Sequence, residues 1–412
     1  MSQNRYIAGL DVGTTKICAI IAEIVDDGQS SVLGVGISPC EGLKKGIVVD
    51  MVATSSAIKD AIEKAERMAG VQIQSLVVGV TGEHISCVNN RSVIAINHPE
   101  REIRENDLDR LMDTARIIVL PPEREIIHAI PRWYAIDGQS GIHSPVGMHG
   151  SRLEMETHIV TGLSSFINNV VKCVHLAGFS VDGTVLEPIA DAESVLVNDE
   201  RELGVALIDI GGGTSDLAIY IDGQIYYSGV IPVGGNHFSR DIAVGLCCSL
   251  EEAERVKKEH GSAIADGNDM EPFEVTVLSN EKPRFLPKKV LVEIIEPRLS
   301  ELVQLALDEI ERAGCQGRLP TGLVFTGGGS QIRGLAEIAG KLASMPVRIG
   351  KPIGFSGMTD VVQKPECATA AGLVLYWSRH STKEAVHVEE GPIWTALISK
   401  IKELLSRFSV DL

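Results

Sequence analysis

Apolar and polar residues alternate along the chain with the two periods typical of strands and of amphipathic helices. Residues 5–24 form two apolar runs around a glycine-containing turn, and residues 57–69 carry apolar side chains at helical spacing. Paired strands are predicted again over residues 204–231, and a long helix over 288–313, where Pro297 should kink or divide it. Strands that alternate with helices in this way predict an α/β fold.

Three segments depart from this alternation. Residues 84–162 are punctuated by prolines and contain a charged helical stretch near 102–117, so we predict a small inserted α+β subdomain there. Residues 262–287 contain several prolines and are predicted to be irregular. Residues 379–391 are polar and show no period, which predicts a linker.

The last helical pattern, residues 392–408, is amphipathic. Its basic residues Lys400, Lys402 and Arg407 outnumber Glu403 on the polar face, although the chain as a whole is acidic. A terminal helix that docks on the protein's own core is the alternative, but the reversed charge and the preceding linker favour an interfacial membrane helix. The apolar face consists of Ile393, Trp394, Leu397, Ile398, Ile401, Leu404, Leu405 and Phe408.

Composition narrows the class of protein. The chain of 412 residues carries 55 acidic and 38 basic side chains, a formal net charge of -17, which argues against nucleic-acid binding. No apolar run approaches the roughly 20 residues that a transmembrane helix needs, and the N-terminal run lacks a signal-peptide cleavage pattern. Eight cysteines without regular spacing predict thiols in a reducing cytoplasm.

The strongest chemical signal is an internal repeat. IAGLDVGTTKICAII at 7–21 and VALIDIGGGTSDLAIY at 205–220 each contain a strand, an Asp, a glycine-rich turn with threonine and a second strand. Glycines let backbone N–H groups approach a phosphate, and threonine hydroxyls can donate to it. Asp11 and Asp209 would repel phosphate without a cation between them, and Mg²⁺ fits that place. One copy would be an ordinary Asp-Gly hairpin turn, but two copies predict a nucleotide clamp.

Two further patterns fit the same site. LVFTGGGSQIRGL at 323–335 is a strand, three glycines and a helix start; alone it is compatible with any tight β–α turn, and after two phosphate hairpins it fits an adenosine pocket. AERVKKEHG at 253–261 places Glu254 and Lys257 on one helix face, where a solvated ion pair is the alternative.

Taken together, these motifs resemble those of the superfamily that contains actin, hexokinase and the heat-shock chaperone ATPases. The resemblance implies a two-lobed α/β fold of ribonuclease H-like repeats that binds ATP and Mg²⁺, with Asp11 and Asp209 holding the hydrated ion. The matching motifs are phosphate-1 at 9–16, a connecting helix at 185–197, phosphate-2 at 207–216, adenosine at 325–330 and a second connecting helix at 367–376. The nucleotide-binding residues that it implies are Gly13, Thr14, Thr15, Gly211, Gly212, Gly213, Thr214, Glu254, Lys257, Gly327, Gly328 and Gly329.

The same resemblance bears on catalysis. Glu187, immediately before Pro188, is similar to the chaperone glutamate that helps to position the attacking water, and a structural role for it is the alternative. Asp209 is the second candidate catalytic residue, and Asp216 matches a residue near the γ-phosphate. We expect ATP binding with at most slow hydrolysis. Lys16 receives no role.

Residues 80–90 (VTGEHISCVNN), 144–160 (SPVGMHGSRLEMETHIV) and 231–246 (IPVGGNHFSRDIAVGL) resemble the FtsA family of bacterial cell-division proteins, and the similarity runs nearly end to end. The resemblance also predicts domain bounds. These are a first lobe at 1–83 and 163–197, an inserted subdomain at 84–162, a second lobe at 198–229 and 306–378, a small subdomain at 230–305, a linker at 379–391 and a membrane-targeting helix at 392–408.

By this resemblance the protein forms actin-like filaments on the cytoplasmic face of the inner membrane at mid-cell. It would tether the ring of the tubulin-like protein FtsZ, recruit later division proteins and bind anionic lipid through its tail. The C-terminal peptide of FtsZ is expected near Arg298 and Glu301, where a plain intrahelical ion pair is the alternative.

Two other functions stay open. An actin-like adaptor of a pilus or secretion machine shares the inserted-subdomain topology, and the tail at 392–408 would distinguish the two, because such adaptors are typically shorter at this end. A small-molecule kinase of the same superfamily would need a substrate pocket with a catalytic base, for which the sequence shows no motif.

Overall fold

The structure is a computed structural model, and it describes residues 5–24, 30–265, 267, 270–278 and 283–380. The predicted tail helix at 392–408 lies outside these residues. The strands are β1 (Arg5–Val12), β2 (Lys16–Ile24), β3 (Ser30–Pro39), β4 (Leu43–Lys44), β5 (Ile47–Val48), β6 (Ser75–Val80), β7 (Ser86–Ala95), β8 (Arg124–Ile136), β9 (Gln139–Ile142), β10 (Arg152–Leu163), β11 (Ser180–Leu186), β12 (Val205–Ile210), β13 (Ser215–Ile221), β14 (Gln224–Ile231), β15 (Pro272–Val275), β16 (Arg284–Pro287), β17 (Leu323–Thr326), β18 (Val347–Ile349) and β19 (Phe355–Gly357). The helices are α1 (Met51–Ala69), α2 (Glu105–Arg116), α3 (Ser164–Ala177), α4 (Glu187–Val195), α5 (Asn198–Leu203), α6 (Gly235–Leu246), α7 (Leu250–His260), α8 (Lys289–Arg312), α9 (Leu335–Ala343), α10 (Thr359–Val362) and α11 (Ala368–His380).

Two sheets of the same design form the two lobes. The first has the order β11-β6-β1-β2-β3-β19, and the second the order β14-β13-β12-β17-β18. In each, three antiparallel strands are followed by two strands parallel to the first of them. Asp11 lies opposite Cys18, and Asp209 lies opposite Asp216, so the repeated phrases occupy equivalent places. The sequence repeat is therefore a repeat of structure.

Helix α1 covers one face of the first sheet. Its N-terminus is capped by Asp50, whose carboxylate accepts hydrogen bonds from the N–H groups of Val52 and Ala53, each 2.9 Å away. A Cβ atom on Gly36 of β3 would lie 1.9 Å from the carbonyl oxygen of Ala61. The helix and the strand are thus in backbone contact, which only glycine permits.

The helices α4 and α11 cross where the two lobes meet. A Cβ atom on Gly372 would lie 1.8 Å from the carbonyl oxygen of Ala190, so the helix backbones touch directly. Helix α11 also buries Ala370, Ala371 and Val374 against the first sheet. Because no side chain can separate the helices at Gly372, their crossing point is fixed.

The predicted second lobe at 306–378 is corrected in one respect. Strand β19 pairs in parallel with β3, and α11 packs against the first sheet, so the chain returns to the first lobe after β18. In addition, α8 continues from Lys289 to Arg312 across the predicted boundary at 305/306, and Pro297 does not divide it. The core of the small subdomain is consequently continuous with that of the second lobe.

Residues 262–287, predicted to be irregular, contain a short hairpin. Strand β15 pairs with β16 in antiparallel register, from Pro272 opposite Pro287 to Val275 opposite Arg284. Each strand has only four residues, and a proline stands at one end of each. The alternation of apolar and polar residues that would predict a strand is therefore not recognisable in the sequence.

The inserted subdomain has its own sheet, in the order β7-β10-β8-β9, with α2 packed on one face. Ile103, Leu111, Leu153 and Met155 are buried in its core. No helix within the described ranges is long and apolar enough to cross a membrane.

Candidate functional site

The glycine turns of the two repeated hairpins face each other across a cleft of about 460 Å³ between the lobes. A Cβ atom on Gly212 would lie 2.6 Å from Cγ2 of Thr15, and one on Gly213 would lie 2.9 Å from Oγ1 of Thr14. The glycines of the second turn therefore pack directly against the threonine side chains of the first. Gly13, Gly211 and Thr214 also line the cleft.

A third turn, between β4 and β5, supports the first hairpin. Lys45 and Gly46 have φ angles of 53° and 77°, as a two-residue hairpin loop of the I′ type requires. The N–H of Gly46 donates to Oγ1 of Thr14 at 3.2 Å. Because this oxygen accepts that bond, its own proton is free to donate to an anion in the cleft.

The second hairpin is held by the start of α6. The N–H groups of Gly235 and Asn236 donate to the carbonyl oxygens of Gly211 and Gly212, both at 2.8 Å. These carbonyls are thereby paired, which fixes the turn that carries Gly213.

Three aspartates lie buried at the floor of the cleft. Burial raises the pKa of Asp11 to about 7 and that of Asp209 to about 6, and nearby Lys16 opposes both shifts. Burial also raises the pKa of Asp216 to about 7, and a hydrogen bond from Thr81 opposes that shift. At neutral pH Asp11 and Asp216 are therefore partly protonated and Asp209 is mostly ionised, and a bound cation would favour the charged form of all three.

Two further buried acids, Glu187 and Asp191, interact with these aspartates. Burial raises the pKa of Glu187 well above its ordinary range, and the charge of Asp11 adds to the shift. Burial does the same for Asp191, which has no exposed surface and lies close to Asp209. Among the described residues, no three acidic, histidine or cysteine side chains are arranged to ligate a metal directly. The acids fit an ion held through water and phosphate oxygens.

The cleft is also lined by Glu254 and Lys257, the predicted purine and ribose residues. Lys257 lies 2.6 Å from Oε2 of Glu254, and its ammonium also donates to Oγ of Ser239 at 2.8 Å and to the carbonyl of Gly235 at 3.0 Å. This pair lines the cleft, so it is not a purely solvated ion pair.

The glycine cluster after β17 completes the cleft. Gly327 has a φ of 80°, and a Cβ atom there would lie 1.9 Å from Oδ1 of Asp209. Gly328 and Gly329 line the cleft beside it.

Sequence reasoning missed several residues of the cleft. Lys16, which received no role, donates from Nζ to the carbonyl oxygen of Glu366 and lowers the pKa of both Asp11 and Asp209. Thr81 directly follows the carboxyl end of β6. Polar residues at this position of α/β sheets often contact ligands, so the sequence could have identified Thr81 as a candidate. Asp191 was also recognisable, since it is a charge within a connecting helix whose other positions are largely apolar.

The candidate partner-binding residues lie elsewhere, on the small subdomain. Arg298 forms a bidentate ion pair with Asp241 of α6, at 2.6 and 3.1 Å, and a second ion pair with Glu301. The intrahelical pair is therefore present, and Arg298 also ties α8 to α6.

Comparison with solved structures places the fold. The PilM-PilN type IV pilus biogenesis complex aligns with a TM-score of 0.66 at 18% identity, over 91% of this chain and 99% of that one. MreB5 of Spiroplasma citri bound to ADP aligns with a TM-score of 0.54 at 17% identity, over 92% of this chain and 98% of that one. At such identities the likeness concerns the fold alone, and it confirms the predicted actin-like, two-lobed α/β class.

Family models and relatives are more specific. The model of cell division protein FtsA matches residues 206–372, and that of the SHS2 domain inserted in FtsA matches residues 82–161. Cell division protein FtsA of Pseudomonas aeruginosa is 40% identical over 91% of this chain and 90% of its own length. FtsA of Escherichia coli K12 is 37% identical over 94% of both chains, and that of Bacillus subtilis 36% over 92% of this chain and 85% of its own. The chain therefore belongs to the FtsA family of cell division proteins.

Proposed function

We propose that the cleft binds ATP with Mg²⁺. The observation that supports this is that two equivalent glycine hairpins, each preceded by a buried aspartate, meet at one cleft, where Gly212 and Gly213 pack against the threonines of the first turn. Asp11 and Asp209 would hold the hydrated ion, which neutralises phosphate charge. Thr14 would donate its hydroxyl proton to a phosphate oxygen, and Lys257 with Glu254 would hold the ribose.

Any hydrolysis in this cleft should be slow. Glu187 lines the cleft and could accept a proton from an attacking water only as a carboxylate. Burial raises the pKa of Glu187 well above its ordinary range, which disfavours the carboxylate form, and a bound cation would favour that form. We therefore assign the cleft mainly to nucleotide binding.

In the cell, we propose that the protein polymerises on the cytoplasmic face of the membrane, tethers the FtsZ ring and recruits later division proteins. Family membership supports a role in division. A single amphipathic helix at 392–408 would bind anionic lipid weakly, at about 1 kcal/mol per basic residue. A filament that presents many such helices would bind tightly by avidity, so assembly and attachment are coupled.

FtsZ would bind through its C-terminal peptide at the small subdomain. Arg298 is the proposed carboxylate-binding residue, since guanidinium groups pair carboxylates in bidentate geometry. In the structure both sides of this guanidinium already face Asp241 and Glu301. An acidic peptide must therefore replace Glu301, the more exposed of the two partners.

Co-sedimentation with anionic liposomes, with and without ATP, tests the proposal. The full chain should pellet as filaments with lipid in the presence of ATP, and a chain truncated after Glu390 should not. Ile401→Glu, which breaks the apolar face of the tail, should behave like the truncation, whereas Glu403→Gln on the polar face should not. Binding that depends on neither lipid nor nucleotide would contradict the proposal.

A further inference from the structure

The inserted subdomain contacts the second lobe at two neighbouring sheet edges. Strand β7 is an edge of the inserted sheet, and β14 is an edge of the second-lobe sheet. The side chains of Cys87 and Asn89 on β7 reach the carbonyl oxygens of Ser228 and Tyr226 on β14, at 3.0 and 3.3 Å. Side chains thus satisfy edge carbonyls that no backbone ladder pairs.

A buried histidine joins these contacts into one hydrogen-bond network, in which each donor and acceptor can be assigned. His158 of β10 has no exposed surface, and its two ring nitrogens lie 2.8 Å from Oδ1 of Asn89 and 3.0 Å from Oγ of Ser228. Burial lowers the pKa of His158 to about 3, so the ring is neutral. Nδ1 must donate to the amide oxygen, and Nε2 then accepts the proton of the Ser228 hydroxyl. Every polar atom named here has a complementary partner.

The network extends toward the nucleotide cleft through β14. Val230, two residues after Ser228, pairs with Asp216 of β13. Just beyond the end of β14, the N–H of Gly235 donates to the carbonyl of Gly211 in the second phosphate turn. A displacement of Ser228 along the strand therefore reaches both sides of that turn.

The inserted subdomain is also fastened to the first lobe. Nε2 of His128 on β8 accepts a hydrogen bond from the N–H of Leu186 at 3.0 Å, and the next residue is Glu187 in the cleft. Burial lowers the pKa of His128 to about 4, which keeps it a neutral acceptor. The subdomain therefore holds one element from each side of the cleft.

We propose that the inserted subdomain is a brace between the lobes that controls opening of the nucleotide cleft. The proposal rests on nucleotide binding in that cleft. Opening must either break the network at Ser228 or carry the subdomain with the second lobe, so a partner that binds the subdomain more tightly in one of these states changes the affinity for nucleotide. By thermodynamic reciprocity, nucleotide changes the affinity of the subdomain for its own partner.

An engineered cross-link tests this. Cys87 is native and contacts Ser228, so Ser228→Cys places two thiols side by side. Glutathione disulfide would oxidise them, with two thiol protons and two electrons passing to form two glutathione molecules and one protein disulfide. Release of a fluorescent ATP analogue, chased with unlabelled ATP, should be at least about tenfold slower in the oxidised variant, and reduction should restore it.

The control is the double variant Cys87→Ser/Ser228→Cys, which retains the other cysteines but cannot form this disulfide. Equal release rates in the oxidised and reduced forms would overturn the brace, as would failure of the disulfide to form. If the reduced variant binds no ATP while wild type does, Ser228 itself is required; if wild type binds none, the proposed function fails first.

A milder pair of variants tests the network without a cross-link. Asn89→Ala removes the links to Tyr226 and His158, and release should accelerate about threefold or more. Asn90→Ala removes only a hydrogen bond to Ala115 inside the subdomain, and release should not change. Equal effects of the two substitutions would contradict the brace.

Discussion

Thr81 of the first lobe donates a hydrogen bond to the carboxylate of Asp216 in the second lobe. Because the partners belong to different lobes, this bond holds the cleft closed. A hydrogen bond to a charged group contributes roughly 1.5–3 kcal/mol, so Thr81→Val should release nucleotide about tenfold faster or more. Stopped-flow measurement of nucleotide release checks this. Thr81→Ser keeps the donor and should match wild type; the same acceleration in both would refute the assignment.

The buried aspartates predict an unusual dependence of stability on pH. Their folded-state pKa values, about 7 for Asp11 and Asp216 and about 6 for Asp209, exceed the ordinary value of 3.8. Each therefore contributes stability that is lost as pH rises through these values, up to about 1.4 kcal/mol for each pH unit between the unfolded and folded pKa. Without nucleotide and Mg²⁺, the melting temperature should rise as pH falls from 8 to 6.

Asp216→Asn provides the control for this trend, since it removes one titrating group and should flatten the curve. The buried His128 and His158, with pKa values of about 4 and 3, oppose the trend as pH falls through the ordinary histidine value, so the difference between wild type and Asp216→Asn isolates the aspartate contribution. Calorimetry across the pH series would decide. A melting temperature that falls between pH 8 and pH 6 would be the opposite result.

Two adjacent glycines should differ sharply in their tolerance of a methyl group. Gly327→Ala would drive a Cβ atom into Oδ1 of Asp209, at a φ of 80°, and should lower the free energy of unfolding by about 1–3 kcal/mol and abolish ATP binding. Gly328→Ala meets nothing nearer than Cβ of Glu366, 4.0 Å away, and should leave the melting temperature of the nucleotide-free protein unchanged. Thermal melts compare the two.

Two adjacent lysines offer a similar contrast. Both lysines line the cleft and pair with Glu254, but the side chain of Lys257 is 12% exposed and that of Lys258 is 71% exposed. Lys257→Ala should weaken ATP binding about tenfold or more, as loss of a charge-assisted contact predicts. Lys258→Ala should stay within about twofold. Equilibrium titration with ATP measures both, and equal losses would show that the pair acts only through surface charge.

Substitutions of Arg298 and Glu301 should change the affinity for the peptide in opposite directions. Glu301→Gln removes the carboxylate that competes for Arg298, and affinity for an acidic C-terminal peptide of FtsZ should rise about two- to fivefold, as for a partly exposed ion pair. Arg298→Ala should lower it about tenfold. Fluorescence anisotropy with a labelled peptide measures both changes. A loss of affinity in Glu301→Gln would show that Glu301 contacts the peptide itself.

The parts of the site that the sequence could predict are those whose functional residues lie close together in the chain. Asp11, Asp209 and the glycines beside them belong to short phrases that repeat, so one copy supports the other. Lys16 belongs to the first phrase, and Thr81 and Asp191 carry weak local signals, but their contacts with Glu366, Asp216 and Asp209 form only through packing of the sheets and helices. No local pattern records such a contact.

The domain bounds also depend on contacts between distant parts of the chain, which the sequence does not reveal. Strand β19 has three residues, and its pairing with β3 joins positions more than 300 residues apart, so periodicity could not assign 355–378 to the first lobe. The continuous α8 was hidden for another reason: Pro297 predicts a break, but the helix has packed residues on both sides, Ile295 and Leu299, that hold it together.

The two ends of helix α11 lie at two different sites, the cleft and the contact with the inserted subdomain. Thr369, in its first turn, lines the cleft, and His380, its last residue, stacks on Tyr376 near His128. At about 1.5 Å per residue, its 13 residues form a rod of roughly 20 Å. A tilt imposed at Thr369 would therefore be carried along the helix to His380, which lies near His128 of the inserted subdomain.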